Sequence, residues 1–101
     1  MVFKVILSEL ALQDLKEIAT FIGLHDPDAA QRYCHQMLDH AEGLALNPMV
    51  GVECPEFGEA TVRSLVFRNH RIIYLVDAAA KVVQVSRFWH GARGFLSQGD
   101  L

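Results

Sequence analysis

Residues 63–77 read RSLVFRNHRIIYLVD and residues 82–93 read VVQVSRFWHGAR, and these two stretches decide the fold. β-Branched and aromatic residues dominate three runs, which predicts strands over about 61–67, 71–77 and 81–89. The connection Arg68-Asn69-His70 is short enough to force antiparallel pairing of the first two strands. The second turn, Asp77-Ala78-Ala79-Ala80, lacks the usual Gly or Asn. The middle strand is apolar at consecutive positions, so we expect both of its faces to be largely covered.

The N-terminal part of the chain predicts a strand followed by a helix. Residues 2–7 alternate weakly and are rich in β-branched types, which indicates a strand. Ser8 can cap the helix that follows, and apolar residues recur from there at helical spacing. Gly23 is a suitable end for this helix, because glycine enters the left-handed cap conformation without steric cost.

A second helix opens at Asp26-Pro27, where aspartate can cap the free amides and proline lacks only an N–H that would stay unpaired. Asn47-Pro48 ends it, and residues 48–60, rich in Pro, Gly and Glu, are predicted to form a loop. The element order is therefore β-α-α-β-β-β, an α+β fold. We expect a helical hairpin packed on one side of a mostly antiparallel four-stranded sheet, with the other side partly open.

Length and composition favour one compact domain spanning residues 1–101. About half of the residues are apolar, which argues against disorder. The longest apolar run, 72–76, is far shorter than the roughly 20 residues of a membrane span, and the N-terminus does not resemble a signal peptide. Cys34 and Cys54 are too few for a disulfide framework, so we expect a reducing cytoplasm.

Charge is distributed very unevenly along the chain. Residues 61–98 hold six Lys or Arg against one acid, a net of +5, whereas residues 1–60 hold three basic residues against ten acids, a net of −7. The overall charge of −3 therefore hides a polarised sequence. Such polarity predicts a basic working surface on the C-terminal strands.

Several short motifs, in this order and at this spacing, resemble the RelE/ParE toxin superfamily of bacterial type II toxin–antitoxin modules. The resemblance covers almost the whole chain, and the closing His-Gly-Ala-Arg is similar to the ParE branch in particular. The residues that carry it are Ala11-Leu12-Gln13-Asp14-Leu15-Lys16-Glu17-Ile18, Pro27-Asp28-Ala29-Ala30, Leu46-Asn47-Pro48, Gly51, Val62-Arg63-Ser64-Leu65, Arg71-Ile72-Ile73-Tyr74 and His90-Gly91-Ala92-Arg93.

The resemblance implies a partner and a target. Such toxins are neutralised by a small DNA-binding antitoxin, so a hetero-oligomer with the antitoxin is expected. ParE-type members poison DNA gyrase without cutting anything themselves, whereas RelE-type members cleave messenger RNA on the ribosome. The leading hypothesis is a non-enzymatic gyrase poison. The alternatives are a ribosome-dependent mRNA endonuclease and a degenerate, non-toxic module that only binds its antitoxin.

Metal-independent RNA cleavage needs a base, an acid and cations for the phosphorane charge. If the protein is a nuclease, His70 and His90 are the candidate proton-transfer groups and Arg71 and Arg87 the candidate cations. Tyr74 lies within the middle strand, where core packing is the favoured interpretation. No tyrosine follows Tyr74, which weakens the nuclease hypothesis, because the RelE branch usually carries a tyrosine or histidine at the end of the last strand.

A basic set of residues at the strand ends is predicted to contact the target. For Arg93 and His90 the alternative is a structural clamp of the chain end, and for the 68–71 hairpin it is a solvated turn. Arg87 falls among apolar positions, so we expect a structural ion pair there. Trp89 suits a core position better than stacking on a base. The predicted contact residues are Arg63, Arg68, His70, Arg71, His90 and Arg93.

No motif predicts a metal or a cofactor. His and Cys residues lack zinc-ligand spacing, and no Gly-rich phosphate loop is present. Antitoxin contact should use apolar side chains that the helical hairpin leaves uncovered. The candidates are Phe57, Val66, Phe88, Phe95 and Leu96, and we expect poor solubility unless the partner is coexpressed.

Overall fold

Two helices and five strands form the regular structure of the described residues, 2–58 and 61–101, in a computed structural model of the chain. The helices are α1, Glu9–Gly23, and α2, Pro27–Glu42. The strands are β1, Lys4–Leu7; β2, Val52–Glu53; β3, Val62–Phe67; β4, His70–Asp77; and β5, Val82–His90.

The strands form one sheet in the order β1-β5-β4-β3-β2. β1 runs parallel to β5, and the other neighbours are antiparallel. The predicted α+β class and element order are confirmed, but the sheet has five strands rather than four. The additional strand, β2, lies in the predicted loop 48–60, where Val52 and Glu53 pair with Ser64 and Arg63. Two residues are too few to show the alternation by which a strand is recognised in a sequence.

Both predicted turns form, although neither contains glycine. Arg68 and Lys81 adopt positive φ angles of 52° and 57°. In the second turn the Asp77 Oδ1 accepts a hydrogen bond from the Ala80 N–H at 3.0 Å, and such a side-chain bond stabilises a turn that has no Gly or Asn. His70 was predicted within the first turn but is the first residue of β4, opposite His90 of β5.

The helix caps form as predicted. The Ser8 hydroxyl accepts the Ala11 N–H and donates to the Ser86 carbonyl, which ties the start of α1 to β5. The Asp26 carboxylate accepts the Ala29 N–H at the start of α2. A 3-10 turn at Gly43–Ala45 follows α2 and accounts for the last part of the predicted helix, which extended to residue 47.

Each face of the sheet contributes to a separate apolar cluster. Residues of α1 and α2, including Met37 and Ala11, pack on Ile72 and Tyr74 of the helix-facing side. On the opposite side Ile73 packs in a second cluster, whose other buried members are Cys54, Val62, Trp89 and Leu96. The loop that follows β2 and the C-terminal residues therefore cover much of the face that the sequence predicted to be open.

The burial of the apolar candidates for partner contact is mixed. Val66 and Phe95 are 67% and 83% exposed and therefore remain candidates for contact with the partner. Phe88 and Leu96 are buried, at 2% and 5%, and Phe57 is partly buried. Leu96 is covered because the chain after β5 folds back onto the sheet, which no local sequence pattern indicated.

Gly51 is required where the loop before β2 passes under the middle of the sheet. A Cβ atom on Gly51 would lie 2.6 Å from both the Ser64 carbonyl oxygen and the Tyr74 hydroxyl oxygen. We therefore expect Gly51→Ala to lower the free energy of unfolding by about 1–3 kcal/mol in urea titrations, because the backbone must move away. Gly43→Ala is the matched control, since its Cβ meets nothing within 4 Å. Equal stability of the two variants would contradict this account.

Candidate functional site

A groove of about 390 Å³ opens where the helical hairpin meets the end of the sheet. It lies between α1, the first half of α2, the start of β4 and the end of β5. Its apolar lining consists of Ile18, Phe21, Ile22, Tyr33 and Phe88. Its polar lining consists of Asp14, Glu17, Asn69, His70, His90 and Arg93.

His70 and His90 form a pair of rings at one end of the groove. They are direct neighbours across β4 and β5, with ring centroids 4.9 Å apart in an edge-to-face arrangement. His70 is 7% exposed, and its Nδ1 lies 2.6 Å from the Tyr33 hydroxyl. Burial lowers the pKa of His70, and the neighbouring His90 lowers it further. Asp14 opposes both effects, and the lowered pKa favours the neutral imidazole of His70.

Arg93 reaches the same groove from the 3-10 turn Gly91–Arg93 that follows β5. Its guanidinium carbon lies 4.0 Å from the centre of the Trp89 ring, a cation–π distance. Trp89 is 3% exposed and donates its indole N–H to the Gly94 carbonyl at 2.8 Å, so it belongs to the core as predicted. The stacked indole holds the exposed Arg93 charge at the mouth of the groove.

Arg71 is directed to the opposite face of the sheet. Its guanidinium makes a bidentate pair with Glu56, at 2.6 and 3.0 Å, and its Nε donates to the Ser64 hydroxyl. The Glu56 carboxylate also accepts the Leu96 N–H, so this pair joins the loop after β2 to the C-terminal residues. The bonds from Arg71 and Leu96 hold the pKa of Glu56 at about 2, against the raising effect of burial.

Arg87 forms the structural ion pair that its position among apolar residues predicted. Its Nε and Nη2 donate to the two carboxylate oxygens of Asp14 at 2.7 and 2.8 Å, and its Nη1 donates to the Asp100 carbonyl. The Phe88 N–H donates to Asp14 as well. Both side chains are less than a tenth exposed, so neither charge is free for a ligand.

The two remaining predicted contact residues also have protein partners. Arg63 donates to the carbonyls of Gly51 and Met49 and holds the loop before β2. Arg68 is exposed, and its Nη2 donates to the Gln36 side chain on α2 at 2.7 Å. The Arg68 guanidinium carbon also lies 5.5 Å from the centre of the Tyr33 ring and 5.3 Å from the centre of the Phe67 ring.

The predicted basic cluster is therefore dispersed, and only part of it converges. His70, His90 and Arg93 meet in the groove, whereas Arg63 binds the loop before β2, Arg68 binds α2 and Arg71 binds Glu56. The reason is the period of two along a strand, which places successive side chains on opposite faces. Sequence reasoning missed the helix residues of the site, chiefly Glu17 and Tyr33. Tyr33 was assigned to the apolar stripe of α2, and no local signal distinguishes its hydroxyl contact from core packing.

Within residues 2–58 and 61–101, no three His, Cys, Asp or Glu side chains are grouped as metal ligands would be. Cys34 and Cys54 are free thiols. Over the same residues, no helix has the length and apolar character needed to cross a membrane.

The sequence profile of a family described as the ParE toxin of the type II toxin–antitoxin system parDE matches residues 5–95. This chain belongs to the ParE toxin family. The match includes both helices and every strand except the first residue of β1. A search of curated proteins finds no match.

Three solved structures share the fold. A chromosomal ParDE toxin–antitoxin system from P. aeruginosa has a TM-score of 0.71 at 18% identity, covering 88% of this chain and 96% of that one. The toxin–antitoxin complex RelBE2 from Mycobacterium tuberculosis has a TM-score of 0.68 at 19% identity, covering 89% and 99%. A doubly arginine-substituted mutant of the E. coli toxin RelE in the free state has a TM-score of 0.69 at 14% identity, covering 93% and 88%. At these identities the likeness establishes the RelE/ParE fold alone.

The Glu56–Arg71 pair predicts a loss of stability in acid. The pKa of Glu56 is about 2 in the folded protein and about 4.3 when unfolded, so the unfolded chain binds more protons between these values. The contribution of the Glu56–Arg71 pair to the free energy of unfolding is complete at pH values above the unfolded pKa. It is lost as the pH falls towards 2, and the total loss is about 2–3 kcal/mol. Urea titrations at a series of pH values should show this slope.

Glu56→Gln should be less stable at neutral pH and should lose this part of the acid dependence. Glu42→Gln, on the exposed end of α2, serves as the control and should keep the slope of the unsubstituted protein. Parallel pH profiles for Glu56→Gln and the unsubstituted protein would show that the pair does not contribute in this way.

Proposed function

We propose that this toxin-family protein traps DNA gyrase in the cytoplasm and that a cognate antitoxin, a small DNA-binding protein, holds it inactive. Membership of the ParE family supports the proposal. The observation that carries it is that Arg71 and Arg87 are both ion-paired within the fold. Each of these two arginines, the cations that a nuclease mechanism would use, is already bound by a carboxylate.

Metal-independent RNA cleavage needs a cation that can approach the phosphorane oxygens. A guanidinium paired with a buried carboxylate has most of its charge compensated, and breaking the pair would leave that carboxylate uncompensated. Arg71 is bound by Glu56 on the opposite face of the sheet, and Arg87 is bound by Asp14, which takes up its charge. The four predicted nuclease residues therefore do not converge on one reacting phosphate, which favours a toxin that binds and does not cut.

Target contact is proposed for the cationic and imidazole groups that the fold leaves accessible. Arg68, His90 and Arg93 are exposed, and His70 lies beside His90 at the end of the groove. Arg63 and Arg71, which were also predicted to contact the target, hold the loops before and after β2 instead. We therefore assign them a supporting role.

The proposed antitoxin would cover apolar side chains that the described fold leaves in solvent. Phe21, Leu24, Val66 and Phe95 are each at least about two-thirds exposed. Large apolar groups of this kind mark protein contact surfaces when they lie together. A toxin–antitoxin complex is the state in which two of the similar structures were solved.

Gyrase poisoning can be tested with purified protein in a DNA cleavage assay. We expect gyrase-dependent, double-stranded DNA breaks that increase with toxin concentration. Arg68→Ala and Arg93→Ala should each require at least about tenfold more protein, because each removes a charge-assisted contact. Lys16→Ala, on the exposed side of α1, should behave like the unsubstituted toxin. No cleavage complex and no effect on supercoiling at any ratio would exclude gyrase as the target.

One observation keeps an mRNA endonuclease as the second candidate. His70 and His90 are adjacent, and Arg93 and Glu17 line the same groove, so proton-transfer groups and a cation do meet there. Under this alternative, induction in cells gives cuts in translated messages at fixed positions within codons, as read by primer extension. His90→Ala should abolish the cuts. Growth arrest without such cuts favours the gyrase proposal, and no growth arrest at all favours the non-toxic module.

A further inference from the structure

Arg93 is held in a different way from the other arginines of the C-terminal strands. Arg71 and Arg87 are each bound by a carboxylate, and Arg68 donates a hydrogen bond to a side chain of α2. In the described part of the chain, the guanidinium of Arg93 forms neither a salt bridge nor a hydrogen bond. Instead its carbon lies 4.0 Å from the centre of the Trp89 ring.

An aromatic ring can hold a guanidinium without using its hydrogen-bond donors. The attraction is between the positive charge and the negative face of the ring, and it needs no N–H group of the arginine to bond to protein. A guanidinium carries five such N–H groups. Because Arg93 is exposed as well, its donors remain free to bind a ligand outside the protein.

Trp89 is fixed in place beneath Arg93. It is 3% exposed and packs with Ile73 and Leu96 in the cluster on the face opposite the helices. Its indole N–H donates to the Gly94 carbonyl at 2.8 Å. This bond ties the residue that follows Arg93 to the same ring that holds the Arg93 charge.

The backbone of the turn is fixed as well. Gly94 adopts φ 77° and ψ −149°, a combination that only glycine readily adopts, although a Cβ atom there would meet nothing within 4 Å. At the start of the turn, the Gly91 N–H donates to the Asn69 carbonyl, and the Nδ1 of His90 accepts the Ala92 N–H. The turn is therefore anchored at both ends.

We propose that Trp89 and Gly94 are positioning residues, which act through Arg93 on its contact with the toxin's target. The inference rests on the proposed function for the identity of that target. An arginine that is mobile before binding must be ordered when it binds, and this ordering lowers the affinity. An arginine already held on a ring avoids most of that loss and still offers its donors.

The position of Arg93 can be measured by ¹⁵N relaxation of the free, full chain. We expect the Nε–H of Arg93 to be more ordered than that of Arg32, which is exposed on α2. Trp89→Leu should make Arg93 as mobile as Arg32 and leave Arg32 unchanged. Equal mobility of the two arginines in the unsubstituted protein would overturn the proposal.

The contribution of Trp89 to toxicity can be measured in the gyrase cleavage assay. Trp89→Leu should require about three- to tenfold more toxin, the effect expected from releasing one ordered side chain. In an Arg93→Ala background the same substitution should change the potency by less than about twofold, whereas in an Arg68→Ala background it should keep its full effect.

An equal effect of Trp89→Leu in the Arg93→Ala and Arg68→Ala backgrounds would show that Trp89 does not act through Arg93, and would overturn the proposal. Val62→Ala controls for lost packing, because Val62 belongs to the same buried cluster. It should stay within about twofold of the unsubstituted toxin. A loss as large as that of Trp89→Leu would likewise contradict a specific role of the ring.

Gly94→Ala and Gly58→Ala form a matched pair for the backbone. Both glycines have positive φ angles, 77° and 63°, and neither added Cβ would meet another atom within 4 Å. Gly94→Ala should lower the potency by about three- to tenfold because the turn moves away from the ring, whereas Gly58→Ala should stay within about twofold. Equal potency of the two variants would show that Gly94 has no positioning role.

Failure of the proposed function is distinguishable from failure of this inference. If the unsubstituted toxin forms no cleavage complex, gyrase is excluded as the target, and the same variants are compared by growth arrest on expression. A loss with Trp89→Leu that disappears in the Arg93→Ala background then supports the inference for another target. Full potency of Arg93→Ala in both assays, or no growth arrest by the unsubstituted protein, would overturn it.

Discussion

The Asp14 carboxylate is the group on which the arrangement of helix, sheet and groove depends. β1 pairs with β5 only as far as Leu7 and Val85, so no strand among residues 2–58 and 61–101 pairs with the rest of that edge of β5. Asp14, from the second turn of α1, accepts the Phe88 N–H at this edge and two bonds from Arg87. Removing one partner of such a buried pair costs about 3–5 kcal/mol, a large part of the roughly 5–15 kcal/mol that stabilises a domain. The same contact fixes the α1 wall of the groove.

The second buried ion pair, Glu56–Arg71, performs a comparable task on the other face of the sheet. It connects the loop after β2, the middle strand and, through the Leu96 N–H, the C-terminal residues. Both pairs join an acid of the negative first part of the chain to an arginine of the positive last part. The charge asymmetry of the sequence is therefore partly compensated inside the fold, and the displayed basic surface is smaller than the net charge of +5 over residues 61–98 indicates.

The choice between binding a target and cleaving RNA depends on which arginines remain accessible. Arg68 and Arg93 remain at the surface beside the aromatic rings of Tyr33 and Trp89, and target contact is proposed for both. The two histidines meet at the end of an apolar groove, and the Tyr33 hydroxyl lies 2.6 Å from the Nδ1 of His70, the more buried of the two. Such an arrangement offers hydrogen-bond donors and the exposed Arg93, whereas Arg71 and Arg87 are already bound by carboxylates.

The candidate site was predictable only in part. His70, His90 and Arg93 could be selected because they lie at strand ends, where side chains reach solvent. Their convergence could not be derived, because it depends on the cross-strand register that places His70 opposite His90. Glu17 and Tyr33 carry no local signal of a site. Their role arises from the way the helical hairpin lies across the end of the sheet.

The sequence by itself determined the element order, the helix caps at Ser8 and Asp26, the antiparallel hairpins and the ion-paired state of Arg87. These features follow from local preferences, from side-chain periodicity and from the cost of an unpaired buried charge. Only the tertiary structure decided the partner of each arginine, the parallel pairing of β1 with β5 and the short strand β2. Those outcomes depend on contacts between residues as many as 78 positions apart, such as Lys4 with Val82, and no local pattern specifies which distant residue will form the contact.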